Sequence, residues 1–356
     1  MRKRFIIAFA MFLVCGTSMA QKKTIEATRI AAAPKIDGNL TDEVWQSVPV
    51  ASDFIQNFPN TGSPGTKKTD VKIAYDDNAI YVGAYLFDNP SLIRKQITAR
   101  DDEQMKDADY FSVFLDTYND DQNGFQFLVT SANVQTDARM GPNLQLGFGE
   151  YGDKTWQAVW ESKTSIQKDG WVVEMRIPYL SLRFAKKDLQ TWGVNFMRYM
   201  RRNNESDFWS PIDPKVSGIV NQFGDLTGLK GIRPPLRLSF SPYVNGGYRS
   251  SPQKDGYEQD ILRSGGMDVK YGINESFTLD ATLIPDFGQV ISDNVVQNLT
   301  PYEVQFQENR PFFNEGTELF NKAGIFYSRR VGAQPGLYDA VKTFADTSAN
   351  WEIIKN

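Results

Sequence analysis

The sequence predicts an all-β protein: an N-terminal antiparallel β-sandwich of the jelly-roll or immunoglobulin-like type, followed by the first strands of a transmembrane β-barrel. Three observations lead to this prediction. Short strand-like segments recur at regular spacing from Thr24 to Ile232, dyad-alternating segments follow Arg233-Pro234-Pro235, and a secretory signal precedes both. The chain therefore divides into residues 1–20, 24–232 and 233–356.

Residues 1–20 have the three parts of a signal peptide. Arg2-Lys3-Arg4 precedes the apolar run Phe5–Val14, and Ser18-Met19-Ala20 supplies small residues for cleavage. The run is too short to remain as a membrane-spanning helix. Cys15 raises the alternative of a lipoprotein, but the residues before it lack the small side chain that lipidation requires. We expect export, with a mature chain that begins at Gln21.

Composition excludes several kinds of chemistry. The only cysteine lies in the signal peptide and the chain has no histidine, which excludes disulfides, thiolate zinc sites, Ser-His-Asp triads and imidazole metal ligands in the mature protein. The net charge of −4 shows no excess of basic residues, so nucleic acid is not expected as a partner. The aromatic share of 13% favours β architecture.

The region Thr24–Ile232 has the pattern of a sandwich, with turn residues between its strands. Two brief helical turns are predicted, at Thr41–Gln46 and Tyr179–Leu182. The predicted strands are Val71–Ala74, Ala79–Phe87, Tyr110–Thr117, Phe125–Ser131, Thr164–Gln167, Trp171–Ile177 and Trp192–Met200. The tryptophans that we assign to the core are Trp45, Trp156, Trp160, Trp171 and Trp192.

Beyond the two prolines, apolar and polar residues alternate from Leu236 to Ser241, from Met267 to Ile273, and from Phe277 to Leu283. Such alternation suits strands with lipid on one face and a polar lumen on the other, and equally an ordinary antiparallel sheet with one wet face. The export signal favours the barrel, with outer-membrane lipid as a partner and the N-terminal domain in the periplasm.

Prolines interrupt this alternation across Ile284–Tyr327, at Pro285, Pro301 and Pro311. Proline is poorly tolerated inside paired strands, so too few spanning strands are expected to close a barrel. We therefore expect residues 233–356 to be the N-terminal part of a barrel domain.

Several motifs of the first region resemble one family, the family-9 carbohydrate-binding modules. The motifs are Ile36–Trp45, Ala74–Gly83, Tyr110–Asp116, Gly170–Pro178 and Phe223–Leu226. The resemblance covers nearly all of Thr24–Ile232. It implies a β-sandwich that binds sugars, often with structural calcium.

The second region resembles a domain of unknown function that follows such modules in large outer-membrane proteins. The segments that carry this resemblance are Ile284–Val290, Asn298–Thr300, Gln307–Gly316 and Tyr327–Gly332. It implies a family-9-like domain attached to an outer-membrane β-barrel of unknown activity.

Sugar-binding members of the first family hold a sugar ring between two tryptophans. Counting back from the matching motifs places Lys106 and Ser217 at those positions, so the usual site is not reproduced. Tyr110 and Trp209 lie nearby and could stack on a ring, although Trp209 also fits a half-buried residue at a sheet end. The candidate sugar-binding residues are Trp209, Tyr110, Lys106, Asp109 and Arg201.

Charged clusters leave further alternatives. Arg198, Arg201 and Arg202 could hold an anionic ligand or pair with nearby acids. The acidic loops fit solvated charges, calcium ligands or a catalytic carboxylate pair. The calcium candidates are Asp76, Asp77, Asp101 and Asp102. The segment Asn119–Gly124 resembles the start of a calcium loop, but Thr130 stands where a bidentate Glu should close it, which favours a hairpin turn.

Three functions are consistent with the sequence. One is a non-catalytic domain that binds polysaccharide or envelope glycan on an outer-membrane barrel. The second is a glycoside hydrolase. The third is a periplasmic plug or docking domain that binds no sugar. The first is favoured, because no residue set has a catalytic pattern.

Overall fold

The structure, a computed structural model, describes residues 22–101, 107–141, 152–154, 156–236, 238–253, 256–273 and 277–284, with residues 297, 299, 304 and 306. Within these ranges the regular elements are β-strands and short 3-10 turns, which agrees with the predicted all-β class. The predicted signal peptide and most of the chain beyond residue 284 lie outside the described residues.

The strands of the described chain are, in order, β1 (Thr24–Glu26), β2 (Thr28–Arg29), β3 (Val50–Ala51), β4 (Ile55–Phe58), β5 (Thr69–Tyr75), β6 (Ala79–Phe87), β7 (Tyr110–Asp116), β8 (Gly124–Thr130), β9 (Gln135–Met140), β10 (Glu161–Gln167), β11 (Gly170–Pro178), β12 (Leu189–Met200), β13 (Glu205–Phe208), β14 (Gly224–Lys230), β15 (Leu238–Gln253), β16 (Gly256–Gly272) and β17 (Thr278–Leu283). The 3-10 turns are Glu43–Gln46, Pro90–Leu92, Tyr179–Ser181, Arg201–Asn203 and Val220–Gln222.

The first fourteen strands form two sheets. In the first, the order is β1-β14-β12-β7-β8-β9, and β13 joins β12 to β4. In the second, the order is β10-β11-β6-β5-β2, and β3 also pairs with β5. Apolar residues of both sheets form one buried cluster, which includes Phe111 and Val113 of the first sheet and Val82 and Val173 of the second. This arrangement is a sandwich.

Strand β7 is buried on both faces. Phe111, Val113 and Leu115 belong to the main core, whereas Tyr110 and Phe114 belong to a second apolar cluster. Since successive side chains of a strand point to opposite faces, a strand covered on both sides carries a continuous apolar run. This explains why β7 and its neighbours were predictable from the sequence.

The motif Ile36–Trp45 folds around a buried carboxylate. Glu174 of β11 accepts hydrogen bonds from the backbone N–H groups of Asp37 (2.9 Å), Gly38 (2.7 Å) and Asn39 (3.2 Å), and from the indole N–H of Trp45 (3.0 Å). Gly38 has a φ of +86°, which a residue with a side chain rarely adopts. The motif thus ties the N-terminal segment to the second sheet.

Strands β15, β16 and β17 form a separate three-stranded antiparallel sheet. The register pairs Phe240 with Val269 on one face and Ser241 with Asp268 on the other. The predicted alternation is therefore present. Residues 274–276, between β16 and β17 in the sequence, lie outside the described residues, and the barrel itself stays a prediction.

The seven predicted strands all occur, with differences at their ends. Two of the predictions were too short: the strand predicted at Val71–Ala74 begins at Thr69 (β5), and the strand predicted at Thr164–Gln167 begins at Glu161 (β10). The segment Asn119–Gly124 connects β7 to β8, which pair antiparallel, so the hairpin prediction is confirmed. Trp45, Trp160, Trp171 and Trp192 are buried, and Trp156 packs against the core, as predicted.

No helical segment among the described residues has the length and hydropathy needed to cross a membrane.

Candidate functional site

Three of the predicted sugar-binding residues, Asp109, Tyr110 and Arg201, lie together where β7 begins and β12 ends. The Tyr110 ring stacks on that of Tyr199, with 4.7 Å between the ring centroids. Arg201 donates its backbone N–H to Asp109 (2.8 Å) and a guanidinium N–H to the Tyr199 hydroxyl (3.3 Å). Both rings are buried, so neither offers an open face for a sugar. Lys106 lies outside the described residues.

Asp109 has a structural environment. Burial raises the pKa of its carboxyl, and the backbone N–H groups of Arg201 and Arg94 oppose that effect. From the sequence, the acidic residues of this segment could have been solvated loop charges. The side chain of Asp109 is buried instead, with 1% of its surface exposed.

The arginines of β12 and the following turn hold the two sheets together. Arg198 is buried and donates to the carboxylate of Asp88 (3.2 Å) and to the backbone oxygen of Phe87 (2.9 Å). Arg202 donates two hydrogen bonds of 2.8 Å to the same carboxylate. Burial opposes ionisation of Asp88, but these hydrogen bonds hold its pKa below the usual range. The sequence allowed these arginines either to hold an anionic ligand or to pair with nearby acids. Arg198 and Arg202 pair with an acid, Asp88.

Trp209 lies apart from that cluster and lines a cavity. The cavity has a volume of about 280 Å³ and opens between the sheet edges formed by β1 and β3. Its walls include Lys23, Glu26, Ser52 and Asp53. The indole is 4% exposed and packs against Phe196, so its inner side belongs to the core.

Lys23 covers the cavity side of Trp209. Its ammonium group lies 5.8 Å from the ring centroid and donates a hydrogen bond of 2.7 Å to the backbone oxygen of Asp53. Burial lowers the pKa of Lys23, and the charge of Asp53 opposes this effect. The cavity thus combines an aromatic ring with one cation and two carboxylates. Such a set can donate to and accept from hydroxyl groups.

The calcium candidates do not form one ligand set. Asp76 accepts the backbone N–H groups of Asn78 (2.7 Å) and Ala79 (2.8 Å) and so closes the turn between β5 and β6. Asp77 pairs with Arg29, and Asp101 lies 3.4 Å from Arg100. Asp102 lies outside the described residues.

No group of three or more acidic residues suited to a metal occurs in the part of the chain that the structure describes. The described candidates therefore do not fit a calcium site.

Trp209, a candidate from the sequence, lines this cavity but is buried rather than half-buried, and the other residues of the cavity were not predicted. Lys23, Ser52 and Asp53 lie on short edge segments that carry no periodic pattern. Asp53 has a φ of +58°, a conformation that Asp tolerates better than most residues, but this feature is visible only in the structure.

The two-sheet sandwich and the long-stranded sheet correspond to two family matches. Residues 36–211 match the family described as "Carbohydrate family 9 binding domain-like", and residues 234–356 match "Domain of unknown function (DUF5916)". The chain therefore contains a domain like the family-9 carbohydrate-binding modules, as the motifs predicted, followed by a domain whose function is unknown.

Three solved structures are similar to the chain. Two are structures of a family-9 carbohydrate-binding module from Caldicellulosiruptor kristjanssonii. The complex with cellotriose is 21% identical, covers 59% of this chain and 95% of that one, and has a TM-score of 0.42. The complex with glucose is 20% identical, covers 60% and 100%, and has a TM-score of 0.43.

A structure from Bacteroides uniformis ATCC 8492 is 14% identical, covers 58% of this chain and 99% of that one, and has a TM-score of 0.47. No protein with a curated description matches the sequence.

Proposed function

We propose that the N-terminal domain binds a glycan and that the cavity beside Trp209 is its binding site. The observation that carries this proposal is the cavity itself, whose walls bring Lys23, Glu26, Ser52 and Asp53 together beside the buried Trp209. Charged and polar groups of these kinds donate to and accept from sugar hydroxyls. The match of residues 36–211 to the family-9 modules supports the ligand class.

The cavity size limits the ligand. A volume of about 280 Å³ lies just below the range of roughly 300–1,000 Å³ that holds drug-sized ligands, so the site has room for about one sugar unit. A longer glycan would extend along the open edges of β1 and β3. Because Trp209 is buried and Lys23 covers its cavity side, the ligand would contact the polar wall of the cavity rather than stack on the indole.

Isothermal titration of residues 21–232 against a panel of soluble oligosaccharides tests this proposal. Saturable binding of at least one oligosaccharide is expected. A properly folded domain that binds none of them would favour the plug or docking function instead.

We further propose that β15, β16 and β17 belong to the wall of an outer-membrane barrel, with the N-terminal domain in the periplasm. One face of this sheet is apolar and exposed: Val244 is 93% exposed and Ile261 is 63% exposed. The other face carries the ion pair Lys270–Asp280 (3.4 Å), beside a hydrogen bond from Thr282 to Asp268 (2.9 Å). This distribution matches lipid on one side and water on the other.

Two details of the sheet add to this proposal. Strands β15 and β16 have 16 and 17 residues, whereas a spanning strand needs about nine to eleven, so both would extend beyond the hydrocarbon layer at one end. Arg263 lies on the apolar face, opposite Gly246, toward the β15–β16 hairpin. From there its long side chain can reach the polar interface. Recovery of the full-length protein in the membrane pellet after carbonate washing is expected, and recovery in the soluble periplasm would contradict the proposal.

A further inference from the structure

A pair of buried carboxyl groups on β13 is not part of any site described above. Glu205 and Asp207 are two residues apart on this strand, so both side chains lie on the same face, and they are 2% and 0% exposed. Glu205 is held in place, because it accepts hydrogen bonds from the backbone N–H and the hydroxyl of Thr66 (2.8 Å each).

Asp207 has no such donors. Neither of its carboxyl oxygens accepts a hydrogen bond from the described residues, and the same holds for the side-chain oxygen of Gln56, which faces Asp207 in the register of β4 and β13. A Cβ atom on Gly65 would lie 2.8 Å from Asp207, so the loop backbone packs directly on the carboxyl. A carboxylate in this position would be buried without a hydrogen bond, and only the charge of Arg198, opposite it on β12, would offset its burial.

The charges around Asp207 come from every neighbouring element. Arg198 faces it from β12 and Glu205 lies on its own strand, while Asp88, Asp109 and Arg202 surround Arg198. This group contains two arginines and four carboxyl groups, and both arginines donate hydrogen bonds to Asp88. The excess negative charge favours a proton on Asp207.

We propose that Asp207 keeps a proton in the folded protein, and that this proton clamps β4 to β13, because the neutral acid can donate across the two strands to the unpaired side-chain oxygen of Gln56. Both strands continue directly into the walls of the Trp209 cavity. Trp209 follows β13, and Asp53 lies two residues before β4. Loss of the proton would place two charges against each other and loosen both walls. We infer that ligand binding in the cavity weakens as Asp207 ionises, and this one consequence rests on the proposed function.

The direction of the pH dependence follows from the same environment. Burial, and after it the charge of Glu205, raises the pKa of Asp207 to about 7. A carboxyl whose pKa is higher in the folded state stabilises the fold below its ordinary pKa and loses that contribution as the pH rises through the folded value. Stability should therefore fall as the pH rises from about 4, where the carboxyl of the unfolded chain ionises, to about 7, and should level off above that value.

Thermal unfolding of the full chain in detergent micelles, followed by tryptophan fluorescence, tests the clamp. Six of its seven tryptophans, all except Trp351, lie in residues 24–232, so the signal reports mainly on the sandwich. The Tm of the wild type should fall by about 10 °C from about pH 5 to about pH 8.5, relative to D207N, whose amide replaces the protonated acid. The control E43Q, at an exposed carboxyl, should follow the wild type.

Two results would overturn the proposal. One is an identical pH dependence in the wild type and D207N. The other is a rise in the wild-type Tm on adding calcium at high pH that D207N lacks, which would assign the carboxyls to a cation. Should D207N not fold, hydrogen exchange of residues 55–58 and 205–208 in the wild type gives the same answer. Their protection, relative to that of β6, should drop as the pH rises, and an unchanged ratio would refute the clamp. None of these readouts requires a ligand, so a domain that binds no glycan would leave them unaffected.

Discussion

Glu174 offers the sharpest test of how the N-terminal motif holds the sandwich together. Its side chain is fully buried and its two carboxylate oxygens accept four hydrogen bonds, three from the backbone of Asp37–Asn39 and one from Trp45. Burial raises the pKa of Glu174, whereas these four donors lower it. The carboxylate is therefore stabilised by neutral hydrogen-bond donors, and none of these four donors is a cationic side chain.

Removing this acceptor should be costly. Each hydrogen bond to a charged group contributes roughly 1.5–3 kcal/mol, and a buried donor left without a partner costs about 1–3 kcal/mol. We expect E174A to lower the free energy of unfolding by more than about 4 kcal/mol. In E174Q one oxygen remains as an acceptor, but the amide N–H₂ group meets backbone donors, so a loss of about 2–4 kcal/mol is expected.

Urea denaturation of residues 21–232, followed by tryptophan fluorescence, measures both changes. The matched control is E161Q on the adjacent strand β10, where Glu161 forms an exposed ion pair with Arg176. That substitution should change the free energy of unfolding by less than about 0.5 kcal/mol. If E174Q proved as mild as E161Q, the carboxylate would not organise the motif and this reasoning would be wrong.

Three further predictions concern other parts of the fold. W171A should cost about 3–5 kcal/mol in urea denaturation, because the ring lies fully in the core; a loss below about 1 kcal/mol would contradict that placement. D88N should cost about 3–5 kcal/mol at neutral pH, since it leaves two arginines without their shared anion. Because the pKa of Asp88 is lowered in the folded state, the wild type should also lose stability as the pH falls through that value, and D88N should lack this acid-dependent loss. V244K, on the apolar face of β15, should impair membrane assembly by about 2–4 kcal/mol, whereas N245K on the opposite face should be tolerated; equal effects would refute the lipid-facing assignment.

The central strands could be predicted from their residue patterns. A strand that is buried on both faces has a continuous apolar run, and a strand that is buried on one face alternates apolar and polar residues. Strand β6 was predicted with its bounds, and β11 to within a residue at each end. The strands that were missed include short edge strands such as β1 and β3, and also β14, which lies between β1 and β12. Strand β1 pairs with β14, about two hundred residues away along the chain, and no local pattern records a partner at that distance.

The candidate site shows the same limit. Trp209 was a candidate because it lies near the matched motifs, but the structure buries its indole, and the cavity beside it is formed by Lys23 and Asp53, which only the fold brings together. Charge patterns were less informative. Asp109 and Asp207 lie in segments that look like polar surface, yet each is buried, because backbone donors hold Asp109 and packing against Gly65 encloses Asp207.

Glycan binding at the Trp209 cavity is the central claim, and the affinity of cavity variants tests it most directly. Titration calorimetry would compare wild-type residues 21–232 with E26A and D53N, which change exposed carboxyls of the cavity wall while leaving the core intact. The control E43Q lies on the 3-10 turn Glu43–Gln46, outside the cavity. We predict that E26A and D53N each weaken binding about tenfold, the loss of roughly one hydrogen bond to a charged group, and that E43Q binds like the wild type. Unchanged affinity in both cavity variants would show that the glycan, if bound, occupies another surface.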